Sequence, residues 1–346
     1  MPSTNGTTTL SAKDFATGQE VRWCPGCGDY SILKQVQTVF AELELNRDEV
    51  AFISGIGCSS RFPYYMDTYG MHSIHGRAPA VASGLKIAKP ELQLWVITGD
   101  GDGLSIGGNH LIHLLRRNFN LNVLLFNNQI YGLTKGQYSP TSEEEKITKS
   151  TPLGSLDHPV NPLAFALGVD GTFVARAMDR DAKHLKEMIH RCHAHKGTSF
   201  LEIYQNCNIF NDGAFHTFTD KESKPETTIF LEQGQPLRFG ANLEKGIRLD
   251  CFRPVVVDLE KDGLSPDDLW IHDEKDLCKA HLLARFFDDP NHREQHYLPR
   301  PFGVLYAVER PCYEDLLHEQ LTTAVRQKGE GKLDELLAGS STWEIR

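Results

Sequence analysis

Short apolar runs alternate with amphipathic patterns along the first two hundred residues of the chain. Four runs that end in glycine or polar residues are typical of buried strands, and they cover residues 50–58, 92–102, 121–129 and 199–207. Before and between them, apolar residues recur at helical spacing in residues 30–43, 79–88, 107–118 and 181–195. Strands that alternate with helices predict βαβ units. The pattern therefore predicts an α/β fold in which helices cover both faces of a mostly parallel sheet.

The pattern becomes less regular after about residue 210. The segment TTIFLEQGQPLRFG, residues 227–240, predicts a β-hairpin, and residues 276–289 predict a helix. Residues 1 to about 20 form a polar arm. We therefore expect the regular domain to occupy residues 1–215. Residues 216–346 are expected to form an extension that wraps this domain or contacts a partner.

Composition and charge exclude several classes of protein. The 346 residues are 40% apolar and 24% charged, which is typical of a globular protein. A net charge of −10, without any cluster of basic residues, argues against nucleic-acid binding. No apolar stretch approaches the roughly 20 residues of a membrane span, and no secretory signal is visible. Eight cysteines in a chain of this kind indicate reduced thiols or metal ligands, so we expect a cytoplasmic protein.

Unusual residues follow each of the four predicted strands. They are Gly55-Ile56-Gly57-Cys58 after the first, Gly99-Asp100-Gly101-Asp102 after the second, Asn127-Asn128 after the third and Cys207 after the fourth. Ligands of open α/β sheets bind outside the carboxyl ends of the strands. If the sheet is parallel, all four sets lie at one edge and form one site.

The pair Asp100 and Asn128 predicts a clamp for a metal-bound diphosphate. Asp100 offers a carboxylate and Asn128, on the next strand, an amide oxygen; Mg²⁺ prefers such hard ligands and bridges to phosphate oxygens. Glycines let the backbone approach an anion, and a helix predicted to begin near Ser105 directs free N–H groups there. The simpler alternative is a tight turn with solvated aspartates.

Cys24 and Cys27, in the motif WCPGC, fit three kinds of site by spacing alone: a redox dithiol, half of a zinc site, or half of an iron–sulfur site. Residues 1–20 are too polar to supply the strand that precedes a thioredoxin-type dithiol. No second Cys-x-x-Cys supports a zinc ribbon. Cys58 and Cys207 lie at the predicted edge, and four thiolates suit either a zinc ion or a [4Fe–4S] cluster.

Five motifs together resemble one protein family. They are WCPGCGDY, GIGCSSR, HSIHGRAPAVASG, GDG with an asparagine 28 residues later, and NNQIYGLTKGQ. In this order they resemble the β subunits of the 2-oxoacid:ferredoxin oxidoreductases, and most of all the 2-oxoglutarate group, over about residues 15–215. The resemblance implies a thiamine diphosphate-binding fold of the diphosphate type in residues 1–215.

The resemblance also implies cofactors and their ligands. It implies a [4Fe–4S] cluster on Cys24, Cys27, Cys58 and Cys207, and Mg²⁺ on Asp100, Asn128 and Ile130. His75 matches a histidine near the cofactor diphosphate, and Arg61 matches a basic residue close to the bound oxoacid. Thiamine diphosphate is expected to contact Gly57, Cys58, His75, Gly99, Asp100, Gly101, Asp102, Asn128, Ile130, Tyr131, Gly132 and Thr134.

The implied activity is the coenzyme A-dependent oxidative decarboxylation of a 2-oxoacid, most closely 2-oxoglutarate to succinyl-CoA and CO₂. Electrons would pass through the cluster to ferredoxin, and the reaction could run in reverse as a carboxylation. A separate α subunit would supply the aminopyrimidine-side domain, in an (αβ)₂ heterotetramer. Three alternatives are pyruvate or another 2-oxoacid as substrate, a thiamine-dependent decarboxylase without redox chemistry, and a zinc-stabilised scaffold subunit with a degenerate cofactor site.

Overall fold

A sheet of eight strands forms the centre of the protein in the computed structural model, which describes residues 10–286, 298–343 and 345. The strands of both sheets are β1 Val50–Ser54, β2 Tyr69–His72, β3 Gln93–Gly99, β4 Leu121–Asn127, β5 Phe173–Met178, β6 Thr198–Tyr204, β7 Thr228–Phe230, β8 Arg238–Phe239, β9 Lys245–Asp250, β10 Arg253–Asp258 and β11 Arg300–Ala307. The central sheet has the order β2-β1-β3-β4-β6-β5-β11-β7. From β2 to β5 all pairs are parallel, and β11 pairs antiparallel with β5 and parallel with β7. This arrangement confirms the predicted α/β class.

Helices cover both faces of this sheet. They are α1 Asp29–Glu42, α2 Ala78–Ala88, α3 Gly108–Arg117, α4 Pro162–Gly168, α5 Ala182–Ala194, α6 His216–Thr219, α7 Lys224–Thr227, α8 Leu277–Ala284, α9 Tyr313–Lys328 and α10 Leu333–Ala338. Apolar residues of α2, α3, α4 and α8 share one core with one face of the sheet. Those of α1 and α5 share a second core with the other face. No helix in the described part of the chain is both long and apolar enough to cross a membrane.

The central strands are buried along most or all of their length because both of their faces are covered. Every residue of β1, β4 and β6 is buried. On one face Phe40 of α1 packs against Phe52 and Trp95, with ring centroids 5.6 and 5.1 Å apart. Local signals set the helix ends: Pro79 occupies the first turn of α2, and the Asp181 side chain caps α5 by accepting from the His184 N–H.

Most predicted elements are confirmed, and three differ. The predicted hairpin at residues 227–240 is wrong, because β7 joins the central sheet whereas β8 pairs with β9 in a separate three-stranded sheet. The helix expected near Ser105 begins at Gly108 instead, after a π-type turn, Asp102–Ile106, with a kink at Ser105. The helix predicted over residues 276–289 is α8, which ends earlier, at Ala284. Residues 287–289 of that prediction lie outside the described residues, and so do residues 1–9 of the polar arm.

Strands β2, β5 and β11 have no counterpart among the predicted elements. β2 is short and largely exposed. The apolar run of β5 is interrupted by Arg176, and β11 contains both a proline and a glycine. Because β7 and β11 lie in the central sheet, that sheet continues across residue 215, the predicted end of the first part.

Candidate active site

The carboxyl ends of four adjacent parallel strands, β1, β3, β4 and β6, meet at one edge of the sheet. A cavity of about 150 Å³ opens there, and its lining includes every residue predicted to contact thiamine diphosphate, from Gly57 to Thr134. Pockets that enclose a whole ligand usually measure about 300–1,000 Å³. The chain therefore provides a pre-formed cavity that encloses only part of a ligand of that size.

Asp102 fastens two loops of this edge to β3. Its Oδ1 accepts hydrogen bonds from the backbone N–H groups of Ile56 (3.0 Å) and Gly76 (2.7 Å), and from His75 Nδ1 (2.5 Å). Its Oδ2 accepts from Thr98 Oγ1 (2.6 Å). Asp102 lines the cavity, but its carboxylate oxygens are engaged by the protein itself. Its role is to position the loops after β1 and β2.

His75 is oriented by this contact. An ionised carboxylate only accepts, so His75 Nδ1 donates to Asp102, and Nε2 then donates to an anion only when the ring is protonated. The ring lies in the cavity lining, with its centroid 6.5 Å from that of Tyr131. The contact with Asp102 therefore fixes the orientation of the His75 ring, which is predicted to lie near a diphosphate.

Asp100 lies two residues earlier and has different partners. Its Oδ2 accepts from Ser139 Oγ (2.5 Å) and Thr141 Oγ1 (2.6 Å). Burial raises the pKa of Asp100 above the usual value for aspartate, while the two hydroxyl contacts act in the opposite direction. A cation beside the carboxylate would favour its ionised form. The surroundings of Asp100 thus suit a carboxylate that binds a metal ion.

A buried chain of polar side chains continues from Asp100 across the sheet. The Thr141 hydroxyl lies 2.6 Å from Asp100 Oδ2 and 2.9 Å from Asn127 Oδ1, and its single proton serves one of them at a time. Asn127 Nδ2 donates to Glu202 (2.7 Å), and Arg176 Nε donates to the other oxygen of Glu202 (2.7 Å). The Arg176–Glu202 ion pair is almost fully buried. It anchors the polar chain in the middle of β5 and β6.

Side-chain-to-backbone hydrogen bonds shape the turn after β4. Asn127 Oδ1 accepts from the Gln129 N–H and Asn128 Oδ1 from the Ile130 N–H, both at 3.2 Å, and Gln129 has a left-handed backbone (φ 55°). Asp100, Asn128 and Ile130 together line the cavity. Their carboxylate, amide and carbonyl oxygens are the donor types that Mg²⁺ prefers, so this predicted set fits the ion chemically.

Tyr131 joins the turn after β4 to the glycine-rich turn after β3. Its hydroxyl donates to the Gly101 carbonyl oxygen (2.9 Å). A Cβ atom on residue 101 would lie 2.2 Å from Tyr131 Cε1, so this close approach requires glycine. Burial raises the pKa of the Tyr131 phenol, which keeps it protonated as a donor. The two turns are thereby held against each other beside the cavity.

Cysteines converge on the same edge. The Sγ atoms of Cys58 and Cys207 each lie 3.6 Å from the point where a Cβ atom on Gly132 would stand, so they are at most twice that distance apart. Cys27 Sγ accepts from Gln205 Nε2 (3.3 Å). Burial raises the pKa of Cys27, and raises that of Cys58 to about 12; the charge of Cys207 contributes to both shifts. A bound metal would reverse this effect, because coordinated thiols are deprotonated.

The loop that carries Cys24 and Cys27 is fixed against the loop of Cys58. Trp23 Nε1 donates to the Cys58 carbonyl oxygen (2.6 Å). Cys24 is exposed, and its charge contributes to the raised pKa of Cys58. All four cysteines predicted as ligands are free thiols. In the described ranges, no three His, Cys, Asp or Glu side chains are arranged to hold a metal ion.

Asp29 is a buried carboxyl that motif analysis does not single out, although it follows Cys27 by two residues. Burial raises its pKa to about 7, and the charge of Asp179 adds to the rise. Asp179 Oδ2 accepts from the Asn206 N–H (2.8 Å), and it would lie 1.8 Å from a Cβ atom on Gly28. Glycine at residue 28 therefore lets the cysteine loop pack closely against the end of β5.

Arg61 is not brought into the cavity lining with the other predicted residues. It lies in the 3₁₀ turn Ser59–Tyr65, and its backbone N–H donates to the Cys58 carbonyl oxygen (3.2 Å). Its guanidinium is near enough to oppose the rise in the pKa of Cys58. Arg61 therefore lies beside the cysteines rather than against the residues that surround Asp100.

Several positioning residues of the site were not predicted. Thr98, Ser139 and Thr141 contact the two aspartates, and Arg176 and Glu202 anchor the polar chain. One signal was available in the sequence: Glu202 and Arg176 are charged residues inside otherwise apolar runs, and buried charges require partners. The hydroxyl residues gave no signal, because serine and threonine are common in loops.

The chain is similar to several characterised proteins. Residues 55–203 match the family described as the thiamine pyrophosphate enzyme, C-terminal TPP binding domain. The chain is 50% identical to the 2-oxoglutarate oxidoreductase subunit KorB of Mycobacterium tuberculosis, over 96% of this chain and 88% of that protein. It is 47% identical to the β subunit of 2-oxoacid:ferredoxin oxidoreductase 1 of Aeropyrum pernix, over 55% of this chain and 60% of that protein.

A solved structure is also similar over nearly the whole chain. It is the 2-oxoglutarate:ferredoxin oxidoreductase from Magnetococcus marinus with 2-oxoglutarate, coenzyme A and succinyl-CoA bound. The TM-score is 0.75, the sequence identity is 33%, and the match covers 98% of each chain. The fold, the family match and the identity to KorB agree with the five motifs. The chain belongs to the family of β subunits of the 2-oxoacid:ferredoxin oxidoreductases.

Proposed function

We propose that this protein is the β subunit of an enzyme that converts 2-oxoglutarate, coenzyme A and oxidised ferredoxin to succinyl-CoA, CO₂ and reduced ferredoxin. The reverse carboxylation uses the same site. The observation that carries the proposal is the convergence, at one edge of the sheet, of four cysteines and a cavity lined by Asp100, Asn128 and a glycine-rich turn. The names of the similar proteins from M. tuberculosis and M. marinus support 2-oxoglutarate as the substrate.

The cavity residues would bind the diphosphate half of thiamine diphosphate. When bound, this cofactor provides the carbanion chemistry of 2-oxoacid decarboxylation, and an iron–sulfur cluster accepts electrons one at a time. Asp100, Asn128 and Ile130 would hold Mg²⁺, and the glycine-rich turn after β3 lets the backbone approach the diphosphate. His75 would donate to the diphosphate from Nε2 when its ring is protonated.

Cys24, Cys27, Cys58 and Cys207 would bind one [4Fe–4S] cluster. Their support is positional: Cys58 and Cys207 flank Gly132, which lines the cofactor cavity, and Cys27 interacts electrostatically with both. The cluster would then lie beside the thiamine cofactor, and electrons would have a short path between them.

Arg61 would bind a carboxylate of the oxoacid. It follows Cys58 by three residues, on the loop where the cluster and the cofactor cavity meet. A guanidinium can engage a carboxylate through two parallel hydrogen bonds. Such charge-assisted bonds contribute about 1.5–3 kcal/mol each.

The enzyme would require an α subunit, in an (αβ)₂ heterotetramer, and ferredoxin as the electron carrier. Two observations support a partner: similar proteins are named as subunits, and the cavity of about 150 Å³ encloses only part of a ligand. Residues 1–215 would form the cofactor-binding part, and residues 216–346 would complete the sheet and contact the partner.

The test is purification of the complex with its α partner under anaerobic conditions. We expect a brown protein with a visible band that dithionite bleaches, bound thiamine diphosphate, and reduction of ferredoxin that depends on both 2-oxoglutarate and coenzyme A. A colourless, zinc-containing complex without this activity would instead indicate the scaffold. Faster turnover of pyruvate than of 2-oxoglutarate would change the substrate but not the reaction class.

A further inference from the structure

One buried side chain contacts both of the residue groups that meet at the carboxyl edge of the sheet. Gln205 directly follows β6, and only 1% of its surface is exposed. Its Nε2 donates to Cys27 Sγ (3.3 Å), and its Oε1 accepts from Asn128 Nδ2 (2.8 Å). Cys27 is a proposed ligand of the cluster and Asn128 a proposed ligand of Mg²⁺, so Gln205 connects the two sites.

Backbone groups at both ends fix the direction of these amides. Gln205 Nε2 also donates to the Asn206 carbonyl oxygen (2.7 Å), which can only accept, so the oxygen of the Gln205 amide faces Asn128. At the other end, the Ile130 N–H can only donate, and Asn128 Oδ1 accepts from it (3.2 Å). A flip of either amide would place two donors or two acceptors against each other inside the protein.

The contact with Cys27 concerns the cluster, because thiolate ligands gain negative charge when a cluster is reduced. An N–H that donates to the sulfur stabilises this charge, and hydrogen bonds to sulfur help to set the reduction potentials of clusters. The backbone N–H of Asp29 also contacts Cys27, but no substitution of a side chain removes it. Gln205 supplies a side-chain donor to the same sulfur, and a substitution can remove that one.

The contact with Asn128 concerns the metal ion. Asn128 Oδ1 has two lone pairs, and the Ile130 N–H uses one of them, which leaves the second for a cation. Gln205 Oε1 holds the Nδ2 end of the same amide. Without that acceptor, the amide of Asn128 could turn and direct N–H groups instead of its oxygen toward the metal ion.

We propose that Gln205 is a positioning residue that couples the two cofactor sites: its amide nitrogen raises the reduction potential of the cluster, and its amide oxygen orients Asn128 toward Mg²⁺. This inference rests on the proposed function, which places a cluster on Cys27 and Mg²⁺ on Asn128. One side chain then sets both the driving force for electron uptake by the cluster and the occupancy of the site that supplies the electrons.

The first test uses Gln205→Met in the complete complex, because methionine keeps the length of the side chain and removes both polar atoms. In an anaerobic redox titration followed by EPR, the ratio of reduced to oxidised cluster at a fixed potential should fall at least threefold, which equals about 28 mV for one electron. The Mg²⁺ concentration that half-saturates thiamine diphosphate binding, measured by calorimetry, should rise at least threefold. Gln93→Met is the matched control and should change neither value, because Gln93 lies at the start of β3, away from the carboxyl edge.

The second test needs no variant, so it applies even if Gln205→Met does not assemble. Glutamine side chains of the wild-type complex are labelled with nitrogen-15, and the reduced cluster is studied by pulsed EPR. We expect a hyperfine coupling between the cluster and a glutamine side-chain nitrogen. Absence of this coupling would overturn the inference.

The outcomes separate this inference from the proposed function. Wild-type values of both the potential and the Mg²⁺ requirement in Gln205→Met would overturn the inference, and a change in only one of them would overturn the coupling. If the wild-type complex is brown in these experiments, the proposed cluster stands in either case. A colourless wild-type complex would instead refute the proposed function, and this inference with it.

Discussion

Two aspartates on one turn have different tasks at the scale of single residues. Asp102 accepts four hydrogen bonds from the protein, two of them from backbone N–H groups, and these fix neighbouring loops. Asp100 Oδ2 accepts from two hydroxyl groups, and the backbone N–H groups of Asp100 and Gly101 also contact its carboxylate. The two hydroxyl groups can rotate away from Oδ2, whereas the backbone groups that bind Asp102 cannot. Asp100 is therefore the carboxylate of the pair that is better able to accept a metal ion.

Asp100→Asn should abolish binding of Mg²⁺ and thiamine diphosphate and leave the cluster in place. The variant removes the negative charge that would offset the divalent cation, while the cysteines are unchanged. Thiamine and magnesium analysis of the purified complex, with the visible spectrum as the control for the cluster, checks this. A wild-type thiamine content would show that the metal site is elsewhere.

Arg61→Ala should lower kcat/KM for 2-oxoglutarate at least tenfold, with normal thiamine and iron content. The loss of a charge-assisted contact to the substrate carboxylate is the cause, and Arg61→Lys should recover part of the activity. Steady-state kinetics with 2-oxoglutarate and pyruvate locate the contact. A smaller decrease in kcat/KM with pyruvate than with 2-oxoglutarate indicates that Arg61 contacts the distal carboxylate. Equal decreases indicate that it contacts the 1-carboxylate or the 2-oxo group. Full activity of Arg61→Ala with both substrates would exclude a role in binding.

At the scale of elements, the sequence predicted the strands that carry the site but not the residues that support them. β1, β3, β4 and β6 are mostly apolar runs that glycine, asparagine or cysteine residues end or follow, and such runs are recognisable. β5 was missed because Arg176 interrupts it; only the fold reveals that Glu202 of β6 neutralises that charge. The predicted hairpin failed because β7 pairs with the distant strand β11, which local pattern does not encode, and β8 pairs instead with β9, the next strand along the chain.

Thr141→Val should weaken Mg²⁺ binding about three- to tenfold without affecting the cluster. The substitution keeps the shape of the side chain but removes the hydroxyl that contacts both Asp100 and Asn127, so the carboxylate loses part of its orientation. Mg²⁺ titrations of thiamine-dependent activity measure the effect. Thr38→Val, at a partly exposed position of α1, is a suitable control. Equal Mg²⁺ affinity in the wild type and in Thr141→Val would contradict this role.

His184→Leu should reduce the loss of stability at acid pH. Burial near Phe230, with ring centroids 5.0 Å apart, lowers the pKa of His184 to about 4 from 6.5. The unfolded chain then binds a proton between these values and the folded protein does not, so stability falls as pH falls through this window. This shift in the pKa of His184 lowers the free energy of unfolding by about 2 kcal/mol at pH 5. Thermal unfolding of the complex at pH 7 and pH 5 tests this prediction. The melting temperature of the wild type should fall more between pH 7 and pH 5 than that of the variant, and equal falls would contradict the prediction.

At the scale of the whole molecule, this polypeptide should be inactive without its α partner. Its cavity lies at one edge of the sheet and measures about 150 Å³, too little for a whole cofactor and substrate. We expect no 2-oxoglutarate-dependent dye reduction by the isolated chain, and activity after addition of the α subunit. Robust activity of the chain alone would refute the requirement.

A groove that shares Ile130 with the cofactor cavity shows what whole-chain properties do not reveal. A net charge of −10 describes the sum of all charges, whereas Lys135, Lys146 and Lys149 are brought to one space by the loop after β4. The motifs identified the cavity residues because their spacing matches strand ends. The groove has no such spacing, so only the folded chain reveals it.

The position of β11 has a consequence for how the protein is made. β5 is finished at residue 178, but its antiparallel neighbour begins at residue 300. A ribosome adds about 5–20 residues per second, so this edge of the nascent sheet stays open for roughly 6–24 s after β5 is synthesised. Open edges invite pairing with other chains. Arg176 also contacts the Pro301 carbonyl oxygen, so the polar chain behind Asp100 is completed only after β11 has been synthesised. Cofactor loading would then follow the synthesis of β11 rather than precede it.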